Sequence, residues 1–302
     1  MTARVTVAVL HYDRPERALA CVQSVLASAY PAFDVLVLDN GSAPARLAEL
    51  RAGLAALESA SRPAVQLVTL KDNRGYTGGV NAAFEAALAT QAPYVWLLAD
   101  DVRVAPDAMS ALVAALESHA RAGIAGAMTF EAAAPERIWF AGGSIERSGM
   151  GRARHRGLGE RDHGQYASIE RVDYANGSSL FARREVVAAL GGLDEAYFTY
   201  WEDADWCARA QRAGWEVVFV PAARVWHDVT PDEGARLDRA RFYDGRNRML
   251  WHSRHRPGRL WAVVLLTFLA WPGYLLQGRP REGWLQVKGV LAFLAGSRGR
   301  SS

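Results

Sequence analysis

The first hundred residues alternate short apolar runs with segments whose apolar positions follow helical spacing. The runs are rich in Val and Leu, as buried strands are, and the segments between them are long enough to form helices. The four runs are residues 5–10, 34–40, 64–70 and 94–101. Strands separated by helices pair in parallel through right-handed crossovers, so we predict an α/β fold with a mostly parallel sheet flanked by helices.

Polar side chains follow each of these four runs. They are His11, Asp39, Asn40, Lys71, Asp72, Asn73, Asp100 and Asp101. In open α/β sheets, ligands bind beyond the carboxyl ends of the strands. Four strand ends that all carry polar clusters therefore predict one shared binding site.

After residue 105 the pattern loosens. Residues 106–123 predict an amphipathic helix, residues 175–190 a strand and a helix, and residues 215–227 two strands joined by a proline turn. Residues 141–165 are rich in Gly, Arg and His without a clear period, so we predict a mobile loop. Its arginines could close over a diphosphate or an anionic acceptor, or simply face solvent.

The end of the chain is strongly apolar. Residues 260–276 contain one polar side chain, Thr267, and residues 283–296 form a second apolar stretch. Arginines flank both stretches and Trp and Tyr lie at their edges, which is typical of helices at a membrane interface. The alternative is a pair of helices packed on the body of the protein or on another subunit, which leaves a homo-oligomer open.

The net charge of +3 conceals an asymmetry. From Arg254 onward there are eight Lys or Arg residues and one acid, so residues 1–253 contain 27 of the 35 basic and 31 of the 32 acidic residues. A nucleic-acid-binding protein would spread basic residues over one face, so we expect no nucleic-acid partner. A basic, apolar tail instead predicts contact with an anionic membrane surface.

Composition predicts a folded intracellular protein. Half of the residues are apolar and 22% are charged. The two cysteines, Cys21 and Cys207, are far apart in sequence and suit no metal-ligand spacing, which favours a reducing compartment. The N-terminus enters an apolar strand without the layout of a signal peptide. We therefore expect a cytoplasmic protein, peripheral at the inner face of the cell membrane.

Two segments at strand ends suit a charged ligand. Asp100 and Asp101 close the fourth run, where a hard cation such as Mg²⁺ or Mn²⁺ would bind them together with substrate phosphates. A turn or a helix cap is the plainer interpretation. Gly75, Gly78 and Gly79 precede a helix, where exposed N–H groups can bind an anion, although a simple helix entry has the same appearance.

Three acids open a predicted helix in the segment FTYWEDADWCARAQRAG, residues 198–214. Acids near a helix N-terminus oppose the helix dipole, but this does not distinguish the three. Asp203 shares a stripe with Cys207 and Ala210, so we predict that it faces inward. Asp205 precedes Arg209 by four residues, which predicts an ion pair on the outer face of the helix. The third acid, Glu202, holds the helix start or contacts an acceptor.

Taken together, five segments resemble the inverting family 2 glycosyltransferases, and in particular the rhamnosyltransferase-like and galactofuranosyltransferase-like bacterial enzymes. The segments are LDNGS, NRGYTGGVN, LLADDV, VWHDV and the block from Gly177 to Gly214 with its GGLDE and WEDAD runs. The resemblance covers about residues 4–250. It implies a GT-A fold with a mixed, mostly parallel sheet and a nucleotide-diphospho sugar donor, dTDP- or UDP-linked. It also implies a saccharide or polyprenyl-linked acceptor in cell-envelope synthesis.

The resemblance also implies roles for single residues. Asp39 matches the acid that contacts the nucleobase, Asp101 the metal-binding acid, Asp203 the general base, and His227 a histidine that in some members binds the metal. The remaining donor-side candidates are His11, Asn40, Asn73, Arg74, Gly75, Gly79, Asn81 and Asp100, and the acceptor-side candidates are Trp201 and Glu202. The cofactor implied is Mg²⁺ or Mn²⁺. Ala99 stands where the metal motif has its first acid, which leaves the metal shell thinner.

We expect three regions in the chain. Residues 1–253 form the glycosyltransferase domain, with a nucleotide-sugar-binding half at 1–105 and an acceptor-binding half at 106–253, and residues 254–302 form a basic, apolar helical segment. Two alternatives remain from the sequence, a non-catalytic nucleotide-sugar-binding protein and a nucleotidyltransferase. Ala99 favours the first. The second would need a Gly-rich loop after the first strand, where this chain has HYDRPERALA.

Overall fold

The computed structural model describes residues 2–58, 64–228 and 235–300, so Val229 of the VWHDV segment lies outside them. The strands are β1 (Val5–His11), β2 (Phe33–Asp39), β3 (Val65–Thr69), β4 (Tyr94–Ala99), β5 (Val102–Val104), β6 (Ala122–Glu131), β7 (Ala134–Phe140), β8 (Gly143–Ile145), β9 (Ala153–His155), β10 (Glu170–Arg171), β11 (Ser179–Arg183) and β12 (Glu216–His227). The helices are α1 (Pro15–Leu26), α2 (Pro44–Glu58), α3 (Gly75–Ala89), α4 (Ala108–Ser118), α5 (Arg184–Leu190), α6 (Glu202–Arg212), α7 (Ala235–His255), α8 (Leu260–Leu276) and α9 (Pro280–Leu294).

One large sheet organises the protein, in the order β10-β12-β6-β11-β4-β1-β2-β3. The β4-β1-β2-β3 part is parallel throughout, as the alternating strand and helix patterns predict. Strands β1, β2 and β4 are buried on both faces because helices cover each side, and β3 at the edge is only partly buried. The two largest apolar clusters lie on either side of the sheet. The predicted α/β fold with a mixed, mostly parallel sheet flanked by helices is confirmed.

The second half of the sheet brings distant segments to the end of β4. Strand β11 pairs antiparallel with both β4 and β6, so the loop before it lies beside the residues that follow β4. The Ala99 N–H donates a hydrogen bond to the Ser178 carbonyl at 2.9 Å. On the other side β5 pairs antiparallel with β12, which sets His227 opposite Val102 and next to Asp101.

Two local predictions for the middle of the chain need correction. Residues 141–165 are not a mobile loop throughout, because β8 and β9 form a paired hairpin within them. The Arg156 N–H donates to the Gly142 carbonyl at 2.9 Å, and the Ala141 N–H donates to the Arg156 carbonyl at 2.9 Å, which continues this pairing. Residues 216–227 form one strand, β12, rather than two. The proline turn predicted there is a shift in pairing register between Val220 and Arg224.

The C-terminal helices pack on the body through α7. Helix α9 approaches α7 so closely that a Cβ on Gly289 would lie 2.3 Å from the Phe242 carbonyl oxygen. A Cβ on Gly245 would lie 2.5 Å from the Gln286 carbonyl oxygen, so glycine is needed on both helices. The alternative of a helix packed on the body of the protein therefore applies to α9. Helix α8 is different, because Trp261 and Leu269 are 68% and 64% exposed along one stripe.

The position of Asp205 differs from the prediction. Its ion pair with Arg209 forms, with Nε 3.0 Å from Oδ2, but Asp205 is only 1% exposed. The reason is that α7 packs over this side of α6, and His255 Nε2 lies 2.7 Å from Asp205 Oδ1. The Tyr197 hydroxyl donates to the same oxygen at 3.1 Å. Asp205 is therefore a buried link between α6 and α7 rather than a surface charge.

We expect Asp205→Asn to lower the free energy of unfolding by about 3 kcal/mol at pH 7, because the neutral amide leaves the partly buried Arg209 without its anionic partner. Burial alone would raise the pKa of Asp205, but His255 and Arg209 outweigh it and hold that pKa below its usual value. A lowered folded-state pKa stabilises the protein above the unfolded value, and this stability is lost as pH falls through the folded value. The difference between native protein and variant should therefore shrink in urea unfolding at acidic pH.

Asp194→Asn is the matched control. Asp194 pairs with Arg254 on the same side of α7, but its side chain is 34% exposed. An exposed ion pair contributes less than about 1 kcal/mol, so this variant should unfold close to the native protein. Equal losses in the two variants would contradict the buried link.

Candidate functional site

The turn before α6 has an unusual backbone. Phe198, Tyr200 and Trp201 all have positive φ angles, of 65°, 65° and 73°, which side chains other than glycine rarely adopt. Two adjacent residues of α7 hold this turn. Asn247 Nδ2 lies within 3.0 Å of the carbonyl oxygens of residues 197, 199 and 200, and Arg246 Nη2 donates to the carbonyl of residue 197 at 2.8 Å. The strained turn is therefore fixed from outside.

This turn sets the direction of Asp203 in the first turn of α6. Asp203 Oδ2 accepts a hydrogen bond from the Gly177 N–H at 3.0 Å, and Oδ1 accepts one from the Ala204 N–H at 2.7 Å. Cys207 and Ala210 on the same stripe are fully buried, as predicted, but Asp203 itself is only partly buried, whereas Glu202 and Asp205 are buried. Each carboxylate oxygen has one main-chain donor, which fixes the group and leaves further lone pairs for a ligand.

Burial shifts the pKa values of Glu202 and Asp203, the two acids at the start of α6. It raises the pKa of Asp203, although the Gly177 and Ala204 N–H groups oppose the shift. It raises the pKa of Glu202 well above its ordinary value, and the neighbouring Asp203 charge adds to this. Glu202 Oε2 is buried without a hydrogen-bond partner among the described residues. Of the two, Glu202 has the more strongly raised pKa, because it combines burial with the neighbouring charge of Asp203.

The site has two clusters of polar side chains, which we call poles. Glu202 and Asp203 are the first, and Asp101 and His227 form the second. His227 Nε2 lies 3.1 Å from Asp101 Oδ1, and the ring of Trp139 packs edge-on against His227 with centroids 4.6 Å apart. Arg14 and Arg17 approach Asp101 Oδ2 at 3.9 and 3.7 Å. Burial alone would raise the pKa of Asp101, but His227 and the two arginines outweigh it and lower that pKa.

This pole fits a divalent cation in its donor chemistry. Asp101 Oδ1 is buried and makes no well-aligned hydrogen bond with described residues, despite its short distance to His227. Two donors about 3 Å apart can share one ion, since each would lie about 2.1 Å from it. Across the described residues, no cluster of three or more His, Cys, Asp and Glu side chains could hold a metal. The protein thus offers at most a partial shell.

A third group of residues lies at the ends of β1 and β2. His11 Nδ1 lies 3.0 Å from Asp100 Oδ2, and His11 Nε2 lies 3.9 Å from Asp39 Oδ1. Within the described ranges, neither His11 Nε2 nor Asp39 Oδ1 has a hydrogen-bond partner, and both atoms are buried. The parallel register pairs His11 with Asp39, so the strand ends bring these polar groups together as predicted.

The glycine segment before α3 is held by two asparagines. Asn40 accepts a hydrogen bond from the Arg74 N–H at 3.1 Å and donates to Asn73 Oδ1 at 3.2 Å and to the Gly75 carbonyl at 2.9 Å. Gly75 has φ 74°, and a Cβ there would lie 2.4 Å from the Phe198 ring. A Cβ on Gly79 would meet Leu10 and Asn40. These contacts shape the segment and join it to the strained turn.

Asn81 and Trp201 make structural contacts of their own. Asn81 exchanges two hydrogen bonds with the main chain of Leu193, at 3.0 and 2.7 Å, so it ties α3 to the loop before the strained turn. Trp201 is 5% exposed, and its Nε1 donates to Asp244 Oδ1 on α7 at 2.9 Å. Both residues lie near the site predicted from sequence, and their polar atoms are engaged within the protein.

Tyr76 links the poles of the site and was not predicted. Its hydroxyl donates to the Gly177 carbonyl at 2.8 Å, next to the N–H that holds Asp203. Burial raises the pKa of Tyr76, and the charges of Glu202, Asp203 and Asp101 add to the shift. Tyr76 therefore lies beside the main chain that holds Asp203, and the next residue of that chain, Ser178, bonds to Ala99 at the end of β4, two residues before Asp101.

His155 is another residue that sequence reasoning missed. It packs edge-on against Trp139 with centroids 4.5 Å apart, and its Nε2 lies 3.5 Å from Asn176 Nδ2. Burial, with a smaller contribution from the nearby His227, lowers its pKa to about 4. His155 lies in the aperiodic arginine-rich segment, where no spacing signal marked it. Asn176 stands just before the recognised Gly177 block, a position that could have drawn attention to it.

Comparison with known proteins places this geometry in a family. The model for the family described as "Glycosyltransferase like family 2" matches residues 3–245. An N-acetylglucosaminyl-diphospho-decaprenol L-rhamnosyltransferase of Mycobacterium tuberculosis is 31% identical over 72% of this chain and 73% of its own length. The galactofuranosyltransferase GlfT2 of the same species is 24% identical over 65% of this chain, which covers 33% of that longer protein.

Solved structures agree with the family at the level of the fold. A mannosyltransferase from Pyrobaculum calidifontis, solved with GDP-Man and Mn²⁺, superposes with a TM-score of 0.63 over 97% of this chain and 88% of its own, at 14% identity. GalNAc-T7, solved with UDP, GalNAc and Mn²⁺, gives a TM-score of 0.59 over 80% of this chain and 47% of its own, at 15% identity. The chain belongs to the family 2 glycosyltransferases.

Proposed function

We propose that the chain transfers a sugar from a nucleotide-diphospho donor to a saccharide or lipid-linked acceptor with inversion at the anomeric carbon. A dTDP- or UDP-sugar of the rhamnose type is the proposed donor, and cell-envelope glycan synthesis the proposed context. The names of the relatives support this, since one acts as a rhamnosyltransferase on a decaprenol-linked sugar and another as a galactofuranosyltransferase.

The observation that carries the proposal is the fixed Asp203 carboxylate, which is held by the Gly177 N–H. The carbonyl of the next residue, Ser178, accepts a hydrogen bond from Ala99 at the end of β4, two residues before Asp101. Inversion in one step needs a base on the face of the sugar opposite the leaving diphosphate. Asp203 accepts the proton of the acceptor hydroxyl while the hydroxyl oxygen bonds to the anomeric carbon and the bond to the diphosphate breaks. Its raised pKa makes it a stronger base than an ordinary Asp.

We propose that Asp101 and His227 hold Mg²⁺ or Mn²⁺ together with the donor diphosphate. When bound, such an ion neutralises the charge that develops on the leaving diphosphate. A partial protein shell suits Mg²⁺, which commonly takes one or two carboxylates and completes its shell with phosphates and water. Arg14 and Arg17 lie close enough to Asp101 to offset part of its charge before the donor binds.

The strand-end residues are the proposed donor site. His11, Asp39 and Asp100 have polar atoms gathered at the ends of β1, β2 and β4, which suits a nucleoside. Asn73, Arg74 and the N–H groups near Gly75 and Gly79 would face the phosphates at the start of α3. Asn40 and Asn81 contribute by holding this segment. We propose Trp201 and Glu202 for the acceptor side, where Glu202 can donate a hydrogen bond.

We also propose the division into residues 1–105 for the donor, 106–253 for the acceptor and 254–302 for membrane contact. Within the described part, Pro257–Leu276 is long and apolar enough to cross a membrane, with 20 residues and a mean hydropathy of 1.5. Its exposed stripe includes Trp261, Leu265 and Leu269. A stripe of this kind beside basic residues suits a helix lying in the interface of the inner membrane leaflet.

Asp203→Asn should reduce transfer by about 10²–10⁴-fold, because an amide cannot accept the hydroxyl proton. The measurement is product formation from a panel of dTDP- and UDP-sugars with a diphospho-lipid acceptor, and NMR of the product reads its anomeric configuration. Native protein should invert the configuration. The kcat/KM of the native protein should also fall at acidic pH as Asp203 is protonated. The midpoint of this fall should lie above 3.8, the ordinary pKa of an Asp, because burial raises the pKa of Asp203.

Asp107→Asn is the control, because Asp107 is an exposed acid at the start of α4 and makes no side-chain cap. It should transfer at the native rate. Retained transfer by Asp203→Asn, or a product of retained configuration, would rule out the proposed base.

Asp101→Asn should weaken Mn²⁺ binding in the presence of UDP by at least about tenfold, since it removes one of two protein donors. His227→Ala should weaken it in the same direction, and His119→Ala, an exposed histidine at the end of α4, should not. Electron paramagnetic resonance of free Mn²⁺ measures all three. Unchanged Mn²⁺ affinity in both site variants would disprove the metal assignment.

The double variant Trp261→Ser/Leu265→Ser should bind vesicles containing anionic lipid at least about tenfold more weakly, because two exposed apolar side chains no longer enter the interface. Vesicle flotation measures the bound fraction. Leu158→Ser is the control, since Leu158 is 57% exposed but lies far along the chain from α8. Equal binding by the native protein and the double variant would contradict a membrane role for α8.

A further inference from the structure

Two adjoining cavities lie along the outer side of the β8–β9 hairpin. Their volumes are about 470 and 280 Å³, and both are lined by Asp173 and Gln211, so they form one groove. The rest of the lining is Gly142, Gly143, Ser144, Ile145, Arg147, Arg156, Arg171, Val172, Ala208, Arg212, Trp215, Glu216, Val217, Trp251, His255 and Arg256. We call this the hairpin groove. It is large enough for a small ligand.

The hairpin groove carries a positive charge. Five arginines line it against two acids. Glu216 is already paired with Arg121 at 2.9 Å and with Arg171 at 2.5 Å. The Asp173 carboxylate accepts the Ile145 N–H at 2.6 Å, which ties it to the wall of the groove. The arginines therefore outnumber the acids available to neutralise them.

Arg156 presents a fixed donor to this groove. Its Nε donates to the Ala141 carbonyl at 2.7 Å and its Nη1 to Glu170 at 2.5 Å, so the guanidinium is held in place. Its remaining nitrogen, Nη2, is buried without a hydrogen-bond partner in the part of the chain that the structure describes. The guanidinium also lies over the rings of Tyr166 and Phe219, with its central carbon 4.9 and 5.2 Å from their centroids. Arg156 is therefore a fixed positive charge in the wall of the groove, which suits an anionic ligand.

An aromatic wall completes the groove. Trp215 is half-buried, and a Cβ on Gly123 behind it would lie 3.0 Å from the indole, so the ring is backed by the main chain. Beside it Gln211 is fixed by a hydrogen bond from Nε2 to the Val172 carbonyl at 3.0 Å. An indole provides rigid apolar area with little entropy to lose, and neighbouring planar polar groups can bond to hydroxyls. This combination suits the face of a sugar ring.

The hairpin groove is separate from the site around Asp203. Gln211 lies eight residues along α6 from Asp203, a distance of about 12 Å at the rise of an α-helix. In the hairpin, Gly143 of the groove is paired with His155, whose ring packs against Trp139 and next to His227. The hairpin is thus the wall between the two sites.

We propose that the hairpin groove binds an anionic saccharide, with a sugar ring against Trp215 and its carboxylate or phosphate against Arg147, Arg156 and Arg171. The guanidinium fork matches a carboxylate or phosphate better than an ammonium group would. Arg147 is exposed at the rim, where it can close over the ligand. Binding here does not involve Asp203 or Asp101.

The test uses cellobiouronic acid as the anionic probe and cellobiose as its neutral counterpart, with saturation-transfer NMR and calorimetry on the full chain. We expect cellobiouronic acid to bind at least about tenfold more tightly than cellobiose, the effect of one charge-assisted contact. Arg147→Gln and Trp215→Leu should each weaken that binding by about fivefold or more. Arg154→Gln is the control, because Arg154 lies on β9 of the same hairpin and pairs with Glu146 outside the groove.

Thermal melting verifies that each variant is folded, and the exposed position of Arg147 keeps one variant independent of core packing. Equal affinity for the two disaccharides, or native affinity in Arg147→Gln, would overturn the proposal. Inorganic phosphate that competes fully while Trp215→Leu has no effect would reduce the site to a plain anion site and overturn the saccharide assignment. Asp203→Asn should bind the probe normally, so this result is separate from that for transfer.

Discussion

The site depends on the hydrogen bonds that Arg246 and Asn247 donate to the turn before α6, which we call the clamp. Left-handed residues other than glycine each cost about 1–3 kcal/mol and persist only where the surroundings fix them. Three of them occur between residues 198 and 201, and Asn247 meets three carbonyl groups of that turn. Without these hydrogen bonds, α6 would start in another direction and Asp203 would lose its contact with Gly177. The position of the proposed base is therefore set by a helix that carries none of the proposed catalytic groups.

The sheet supplies the other half of the arrangement. A parallel α/β half gathers His11, Asp39 and Asp100 at its strand ends, as such sheets always do. Antiparallel β11, inserted between β4 and β6, delivers the Gly177 N–H to the same edge, and β12 delivers His227 through β5. The parallel and antiparallel strand pairings thus bring the proposed donor-binding residues together with the proposed base and the proposed metal ligands.

Sequence reasoning succeeded where periodicity or strand order decides the outcome. The four parallel strands and the buried stripe of Cys207 and Ala210 follow from local spacing, and the structure confirms them. It failed where α7, about 50 residues further on, covers the surface, because helical spacing cannot say that His255 will bury Asp205. Tyr76 and His155 were missed for a related reason. Their importance comes from neighbours on other elements, and no spacing within their own segments records it.

Helix α7 has a second face, and the close approach of α9 to it has a mechanical consequence. Gly245 and Gly289 allow the two backbones to touch, so no layer of flexible side chains separates them. The residue after Gly245 is Arg246, the first half of the clamp. A load applied to α9 would therefore pass through α7 to the turn that orients Asp203. This packing couples the proposed membrane segment mechanically to the proposed base.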